Sequence, residues 1–449
     1  HLYSEDEQFS GNLLKLKGKD VVNFGSCSYL GLEFDSRMKD AAKEAIDKYG
    51  TQFSESRAYV SLGLYEELET LLEKIFDAYC IVSPTTTLGH IANIPVLVSD
   101  EDAVIMDHQV HSSVQTAVGL LKGRNVHIEL LRHNRMDHLE ERVKELRAKH
   151  PKIWYMADGI YSMYGDHSPV DEVYALMDKY AELHYYVDDA HGMSVYGKNG
   201  RGFVLNNRHF HPKMILATSM AKAFATGGGI LVYPNKELKR KVRTCGGPLI
   251  TSGPMQPSGL GAAIAAAKIH LSEELPIIQA SLQEKVKFAL QAVKKYGLPL
   301  VSEPGASIFF IGVCLPKMGY NMVRRMLDAG YYVNLGMFPA VSIKKTGVRF
   351  TITNLHTFSQ IESMIATMAK ALPEALKEEG ITLEEVCESF GIPIPTTTLL
   401  THPVETKPKN IPTPASLELF HCSTIKNIDP FEWDMMFQEE GSFDWEGLD

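Results

Sequence analysis

Between residues 79 and 219 the sequence repeats one pattern: a short apolar run, a few polar or small residues, then an amphipathic segment. The apolar runs are Cys80 to Ser83, Ala103 to Met106, Val126 to Leu131, Lys152 to Met156, His184 to Val187 and Met214 to Ala217. Helix-period segments separate them, through His90 and Ile94, through Val114 and Leu120, over 139–149 and over 171–180. Strands alternating with helices predict an α/β fold, with a mostly parallel sheet covered by helices on both faces. In such sheets, ligand-binding residues collect just past the carboxyl ends of the strands. Those positions hold Asp107 and His111, Asp158, Asp188 and His191, and Ser219 and Lys222. That recurrence constrains both the fold and the place of the site.

The chain of 449 residues is long enough for two or more domains, and 45% hydrophobic with 22% charged content suits a soluble globular protein. A net charge of -10 argues against nucleic-acid binding, which needs a basic face. No apolar run approaches the ~20 residues of a membrane span, and His1 to Ser10 carries no secretion signal. Six scattered cysteines without a C-x-x-C pair suggest neither a metal site nor a disulfide framework. A cytoplasmic protein is expected.

The pattern divides the chain into an N-terminal segment (1–50), a large domain (51–255), a smaller C-terminal α+β domain (256–380) and an extension (381–449). A loop from Cys245 to Gly259, containing Thr251 and Ser252, marks the second boundary. The smaller domain carries one strand-borne arginine, Arg349. Prolines crowd residues 393 to 415, which excludes regular helix there. Residues 430–449 hold seven acidic residues, no Lys or Arg, and five aromatics. They read as a tail docking on the body or on a partner, with a disordered acidic end as the alternative.

Residues 214–230 are the most informative stretch. Lys222 sits between small and apolar residues, Ser219 lies three residues before it, and Gly227 to Gly229 follow. A buried amine loses its proton more readily and can form a Schiff base with an aldehyde. The hydroxyl of Ser219 is placed to meet a phosphate beside that aldehyde, and the glycines would let backbone approach a ligand. An ordinary strand end with a snorkelling lysine is the bland alternative. The turn Pro84-Thr85-Thr86-Thr87 offers backbone N–H groups and hydroxyls to a phosphate, or is simply a capped helix start.

A pyridoxal phosphate site needs a lysine, an acid for the pyridine nitrogen, a ring to stack on the pyridine, a donor for the phenolic oxygen, and hydroxyls for the phosphate. The strand ends supply Lys222, Asp188, His111, His191 and Ser219 in that order of role. Singly, each has another account: Asp188 or Asp189 as a helix cap, His191 as a core histidine, His111 as a surface one. Together the set is far less easily explained away.

On these residues the chain resembles the α-oxoamine synthases, fold-type I pyridoxal phosphate enzymes. The resemblance covers about residues 20 to 370 and rests on several blocks. These are Ser26 to Leu32, Tyr49-Gly50-Thr51 with Ser56-Arg57, Asp158 to Asp166, Val187 to His191 with Gly197 to Gly202, Ser219 to Lys222, and Arg349-Phe350-Thr351 with His356-Thr357. It implies an acyltransferase that joins a small amino acid to an acyl thioester, on coenzyme A or acyl carrier protein, with loss of carbon dioxide, giving an α-amino ketone. It further implies Lys222, His111 and Asp188 as catalytic residues, and Thr85, Thr86, Thr87, Asp158, Ser162, His191 and Ser219 as cofactor contacts. Arg349 and Ser28 would meet the substrate, and Thr251 and Ser252 would reach the other subunit's phosphate in a homodimer. Two departures stand out. Three threonines replace the family's Ser/Thr-Gly-aromatic phosphate turn, and the loop up to Tyr65 is one residue short, with Tyr65 in place of a histidine. An aminotransferase or another carbon–carbon bond enzyme on the same fold is the alternative reaction. A non-catalytic partner subunit is the alternative of another class, against which Lys222 argues.

Overall fold

The computed structural model describes residues 2–9, 11–53, 56–303 and 305–395; the tail at 430–449 and the prolines beyond 395 lie outside the described residues. A hairpin of β1 (Leu13–Leu16) and β2 (Lys19–Asn23) comes first, followed by helices α1 (Ser36–Tyr49) and α2 (Gly63–Phe76). Asp35 caps α1 by accepting from the Arg37 N–H. Gly50 ends α1 at a φ of 77°, where a side chain would be strained.

The strands β3 (Tyr79–Ser83), β4 (Ala103–Asp107), β5 (His127–Leu131), β6 (Ile153–Asp158), β7 (Leu183–Asp188), β8 (Met214–Ser219) and β9 (Gly229–Tyr233) form one seven-stranded sheet. Their spatial order is β3-β9-β8-β7-β6-β4-β5. The strands from β5 across to β8 pair in parallel, whereas β9 is antiparallel to both β3 and β8. β4 has β5 on one side and β6 on the other, so the connections leaving β4 and β6 diverge there. Such a point opens a crevice at the carboxyl ends of the strands.

Apart from the edge strand β5, which is half-buried, each strand is buried on both sides, as a covered parallel sheet requires, and alternate residues serve opposite layers. On β6, Ile153, Tyr155 and Ala157 join one apolar cluster with the helix Pro257–His270, while Trp154 and Met156 join the other. The second cluster includes residues of α3 (Thr86–Leu97) and α4 (Ser112–Gly119), the helices that follow β3 and β4.

A smaller antiparallel sheet has the order β10-β13-β12, with β10 at Ile308–Cys314, β12 at Asn334–Gly336 and β13 at Thr346–Thr351. The short β11 (Tyr331–Tyr332) leaves it and pairs with β2, tying the N-terminal hairpin to this part of the chain. Several elements were not legible beforehand, among them β1 and a helix at Lys236–Cys245. β9 follows directly on Gly227-Gly228, and a capped helix, Leu383–Phe390, occupies the start of the expected extension. Its Val386 and Cys387 are buried, and Phe390 packs edge-on against Phe310. Among the described residues no helix is long and apolar enough to cross a membrane.

Candidate active site

The strands β4, β6, β7 and β8 end on Asp107, Asp158, Asp188 and Ser219, which places polar groups along one edge of the sheet. Lys222 lies in the connection from β8 to β9. This connection is cross-bonded: Met220 N–H donates to Gly228 O (3.0 Å), Thr226 N–H to Met220 O (2.9 Å) and Ala225 N–H to Lys222 O (2.9 Å). The side chain of Lys222 is half-buried rather than enclosed, and among the described residues its amine has no hydrogen bond or ion pair.

Asp158 and Asp188 are register partners across β6 and β7. Burial, reinforced by the Asp188 charge, pushes the Asp158 carboxyl far above its ordinary range. Burial acts on Asp188 as well, but the hydrogen bond from His90 and the charge of Lys222 outweigh it and hold Asp188 below that range. Of the two neighbouring carboxyls, Asp188 is the more readily ionised.

Two histidines flank this charge. His111 Nδ1 accepts from the Ser113 N–H (3.3 Å) and lies 2.7 Å from Ser113 Oγ, so its ring proton is on Nε2. Its backbone N–H donates to Asp158 Oδ1 (3.1 Å), which locks the loop after β4 to the end of β6. Burial lowers its pKa. Burial, aided by the charges of Lys222 and Arg349, lowers His191 much further, so that imidazole is neutral. Tyr29, fully buried with its phenol pKa raised by burial, meets His191 Nδ1 at 2.7 Å. Nε2 of His191 has no partner among the described residues.

The Thr85-Thr86-Thr87 turn uses much of its own polarity. Thr85 is the N-cap of α3, accepting from Leu88 N–H (3.1 Å), and Thr86 Oγ1 donates to Thr218 O (3.3 Å). What remains for a ligand is the first-turn N–H groups of α3 and the exposed Thr87 hydroxyl. Ser219 Oγ accepts from Ala221 N–H (3.1 Å) and keeps its own proton to donate. Of the glycines after Lys222, Gly229 serves the fold, since a Cβ there would stand 2.7 Å from Thr86 N and Ser83 Oγ, whereas one on Gly227 would meet nothing within 4 Å.

Arg349 on β13 is 4% exposed and donates from Nε to the Ser162 carbonyl (2.7 Å) and from Nη2 to Cys27 Sγ (3.6 Å). Ser162 meets it through its backbone. Ser28 Oγ lies 2.7 Å from Ser26 Oγ in the same loop as Cys27. Burial opposes ionisation of the Cys27 thiol, but Arg349 and the Tyr29 hydroxyl outweigh it and lower its pKa. Thr251 closes a short helix (Pro248–Thr251) through Oγ1 to Gly247 O (3.0 Å) and is exposed, with Ser252 half-buried beside it. Tyr65, part of the shortened loop, is a core residue: its hydroxyl accepts from Met255 N–H (2.7 Å) and the Arg57 guanidinium lies 3.6 Å over its ring.

A family model described as aminotransferase class I and II matches residues 19–367. The chain belongs to that family. Within the aminotransferase class I and II family it is similar to an 8-amino-7-oxononanoate synthase from Fervidobacterium nodosum, 32% identical over 368 residues covering 79% of this chain and 89% of the relative. It is also similar to a serine palmitoyltransferase from Sphingobacterium spiritivorum, at 27% over 80% of this chain and 88% of the relative. Among solved structures, a serine palmitoyltransferase from S. paucimobilis with bound PLP–myriocin superposes with a TM-score of 0.78 at 25% identity, covering 84% of this chain and 93% of that one. The fold is that of fold-type I pyridoxal phosphate transferases.

Other polar residues at the strand ends of this family member look elsewhere. Asp107 binds His133 Nδ1 (2.9 Å), and His133 Nε2 meets Asp166 Oδ2 at 2.6 Å. Burial alone would discharge His133, but the two carboxylates raise its pKa to about 9. A raised histidine pKa contributes stability that is complete below the unfolded value of ~6.5 and is lost as pH rises through the folded value. Melting temperature is therefore expected to fall between about pH 6.5 and 9. A His133→Gln variant is expected to lack that slope and to be destabilised most at pH 6, by ~3 kcal/mol; equal destabilisation at pH 6 and pH 9.5 in denaturation curves would contradict this. Asp189 points away from Asp188, accepting from Val204 N–H (2.9 Å), and burial raises its carboxyl to about 8. Gly159, Gly192 and Gly202 crowd it so closely that a Cβ on any of them would come within 2.5 Å of its oxygens.

Sequence reasoning missed two residues that touch the site's charges: Tyr29, on His191, and His90, whose Nε2 lies 3.0 Å from Asp188 Oδ2. Tyr29 stands inside a quoted motif, and only its burial was unreadable. His90 lies 98 positions from Asp188, with no local signal of the pairing.

Proposed function

We propose that the chain is a pyridoxal phosphate-dependent α-oxoamine synthase, condensing a small amino acid with an acyl thioester and releasing carbon dioxide and thiol. The observation that carries this reading is the amine of Lys222, without a hydrogen bond or ion pair among the described residues and set beside an Asp188 carboxylate of lowered pKa, two histidines of low pKa and a buried arginine. The donor set fits the cofactor: an anion, two ring donors, a helix N-terminus and a serine hydroxyl meet at one sheet edge. When bound, pyridoxal phosphate supplies an aldehyde for amines and a sink for electrons released at the α carbon.

Lys222 would hold the cofactor through its amine and, when free, would move the α proton. Asp188 would hold the ring nitrogen, His111 would pack on the ring, and His191 would donate from Nε2 to the phenolic oxygen. The first turn of α3 at Thr86 and Thr87, with Ser219, would bind the phosphate. Asp158 fixes His111 through the backbone. Arg349, with Ser28 beside it, grips the substrate carboxylate, and Ser162 aims the guanidinium. Thr251 and Ser252 reach the phosphate of the second subunit in a homodimer. The division at about residues 51, 256 and 381 separates the cofactor-binding domain from the smaller one. We assign the chain to the cytoplasm, a reducing compartment in which the five described free cysteines would stay thiols.

A panel of amino acids against acyl thioesters tests the reaction. Release of carbon dioxide and free thiol together supports the synthase, whereas amino transfer to a keto acid without either supports an aminotransferase. Arg349→Gln is expected to lower kcat/KM for the amino acid ~100-fold with the KM for the acyl thioester little changed. An equal loss for both substrates would remove Arg349 from the carboxylate site.

A further inference from the structure

Four buried polar side chains form an unbroken line that ends on Asp188. Tyr233 O–H donates to Asn93 Oδ1 (3.0 Å), and Asn93 Nδ2–H donates to the Tyr186 oxygen (3.5 Å). The Tyr186 hydroxyl lies 2.8 Å from His90 Nδ1, and His90 Nε2 lies 3.0 Å from Asp188 Oδ2. His90, Asn93 and Tyr233 are 0% exposed and Tyr186 is 1%. Water cannot complete this chain from outside, so its members must satisfy one another.

Only one arrangement of protons does so. Asn93 accepts from Tyr233 and donates to the Tyr186 oxygen, so the Tyr186 proton must go to His90 Nδ1. The imidazole then carries its proton on Nε2 and donates it to Asp188. A doubly protonated His90 would turn Nδ1 into a donor, and the Tyr186 proton would have no acceptor in the chain, at a cost of ~1–3 kcal/mol. Asp188 Oδ1 accepts from Ala190 N–H (3.0 Å), so both oxygens are oriented by donors. The charged and titratable groups facing Asp188 are His90, Lys222, His111, Asp158, Asp189 and Tyr186. Of the two neighbouring carboxyls, Asp158 receives only the His111 backbone N–H.

We propose that His90 is a positioning residue that makes Asp188, not Asp158, the ionised carboxylate of the pair, with Tyr186, Asn93 and Tyr233 fixing the His90 tautomer from behind. The proposal rests on the reading that Asp188 faces the ring nitrogen of pyridoxal phosphate. It adds what decides which carboxyl bears the charge and what prevents its rotation. His90 itself touches neither cofactor nor substrate.

The test compares full-length wild type with His90→Phe, His90→Gln and Tyr186→Phe. Each protein is stripped of cofactor, titrated with pyridoxal phosphate, and followed by absorbance of the bound cofactor across pH. His90→Phe is expected to weaken cofactor binding ~10-fold or more and to move the midpoint of the pH-dependent absorbance change by ~1 pH unit. His90→Gln, which keeps a donor toward Asp188, restores most of both. Tyr186→Phe moves the midpoint with a smaller change in affinity, and decides the matter if His90→Phe does not fold. A folded His90→Phe with wild-type affinity and midpoint overturns the proposal, as does a Gln variant as defective as Phe. The histidine ¹⁵N spectrum of the cofactor-free protein, assigned with His90→Gln, reads the relay separately. An Nε2–H tautomer at neutral pH supports it, and an Nδ1–H or doubly protonated ring overturns it. A wild type that takes up no pyridoxal phosphate sinks the cofactor reading and leaves that spectrum decisive for the relay.

Discussion

Lys222→Ala is expected to lose all covalent attachment of pyridoxal phosphate and at least ~1,000-fold in turnover. The wild type, loaded with cofactor and reduced with borohydride, should carry the cofactor through denaturation; the variant should release all of it. Stability should scarcely change, because the Lys222 amine has no hydrogen bond or ion pair to lose among the described residues. That separation makes the result diagnostic. A variant that melts normally and binds the cofactor reversibly fits, whereas one that still fixes the cofactor would move the attachment point to another lysine.

Asp188→Asn is the second large effect, with kcat/KM expected to fall ~100- to 1,000-fold. The substitution keeps the shape and leaves an oxygen for His90 to donate to, so the loss reports charge rather than packing. Absorbance of the bound cofactor should shift along with the rate. Activity within threefold of wild type would mean that Asp158 or another group carries the charge, and would remove the present account of the pair. The effect should exceed that of His90→Phe, since the histidine acts only through this carboxylate.

The alternation that set the fold was readable because burial on both faces of a parallel sheet enforces continuous apolar runs. Strand ends followed from it, and with them the placement of Asp158, Asp188 and Ser219. Periodicity could not reveal β9, since its first residue, Gly229, belongs to a triple glycine that looks like a ligand loop. Which of Asp188 and Asp189 faces the site came from the resemblance. In the structure, strand alternation sends Asp189 into a pocket of glycines instead. Two hydroxyls of the phosphate turn have partners within the protein: Thr85 caps α3 by accepting from the Leu88 N–H, and Thr86 donates to the Thr218 carbonyl on β8. Pairings such as Tyr29 with His191 and His90 with Asp188 join residues more than ninety positions apart. No local pattern encodes such a partner; it exists only once the layers have closed.

Placing Lys222 in a cross-bonded hairpin between β8 and β9, rather than ahead of a crossover helix, has a mechanical outcome. Its Cα is a fixed hinge, held from Met220, Ala225 and Gly228 by backbone bonds, while four methylenes form a loose arm. The amine can then sweep an arc of a few ångströms without any movement of the sheet. An enzyme whose base must first let go of its cofactor and then collect a proton needs that division of labour: travel confined to the side chain, and aim stored in the backbone.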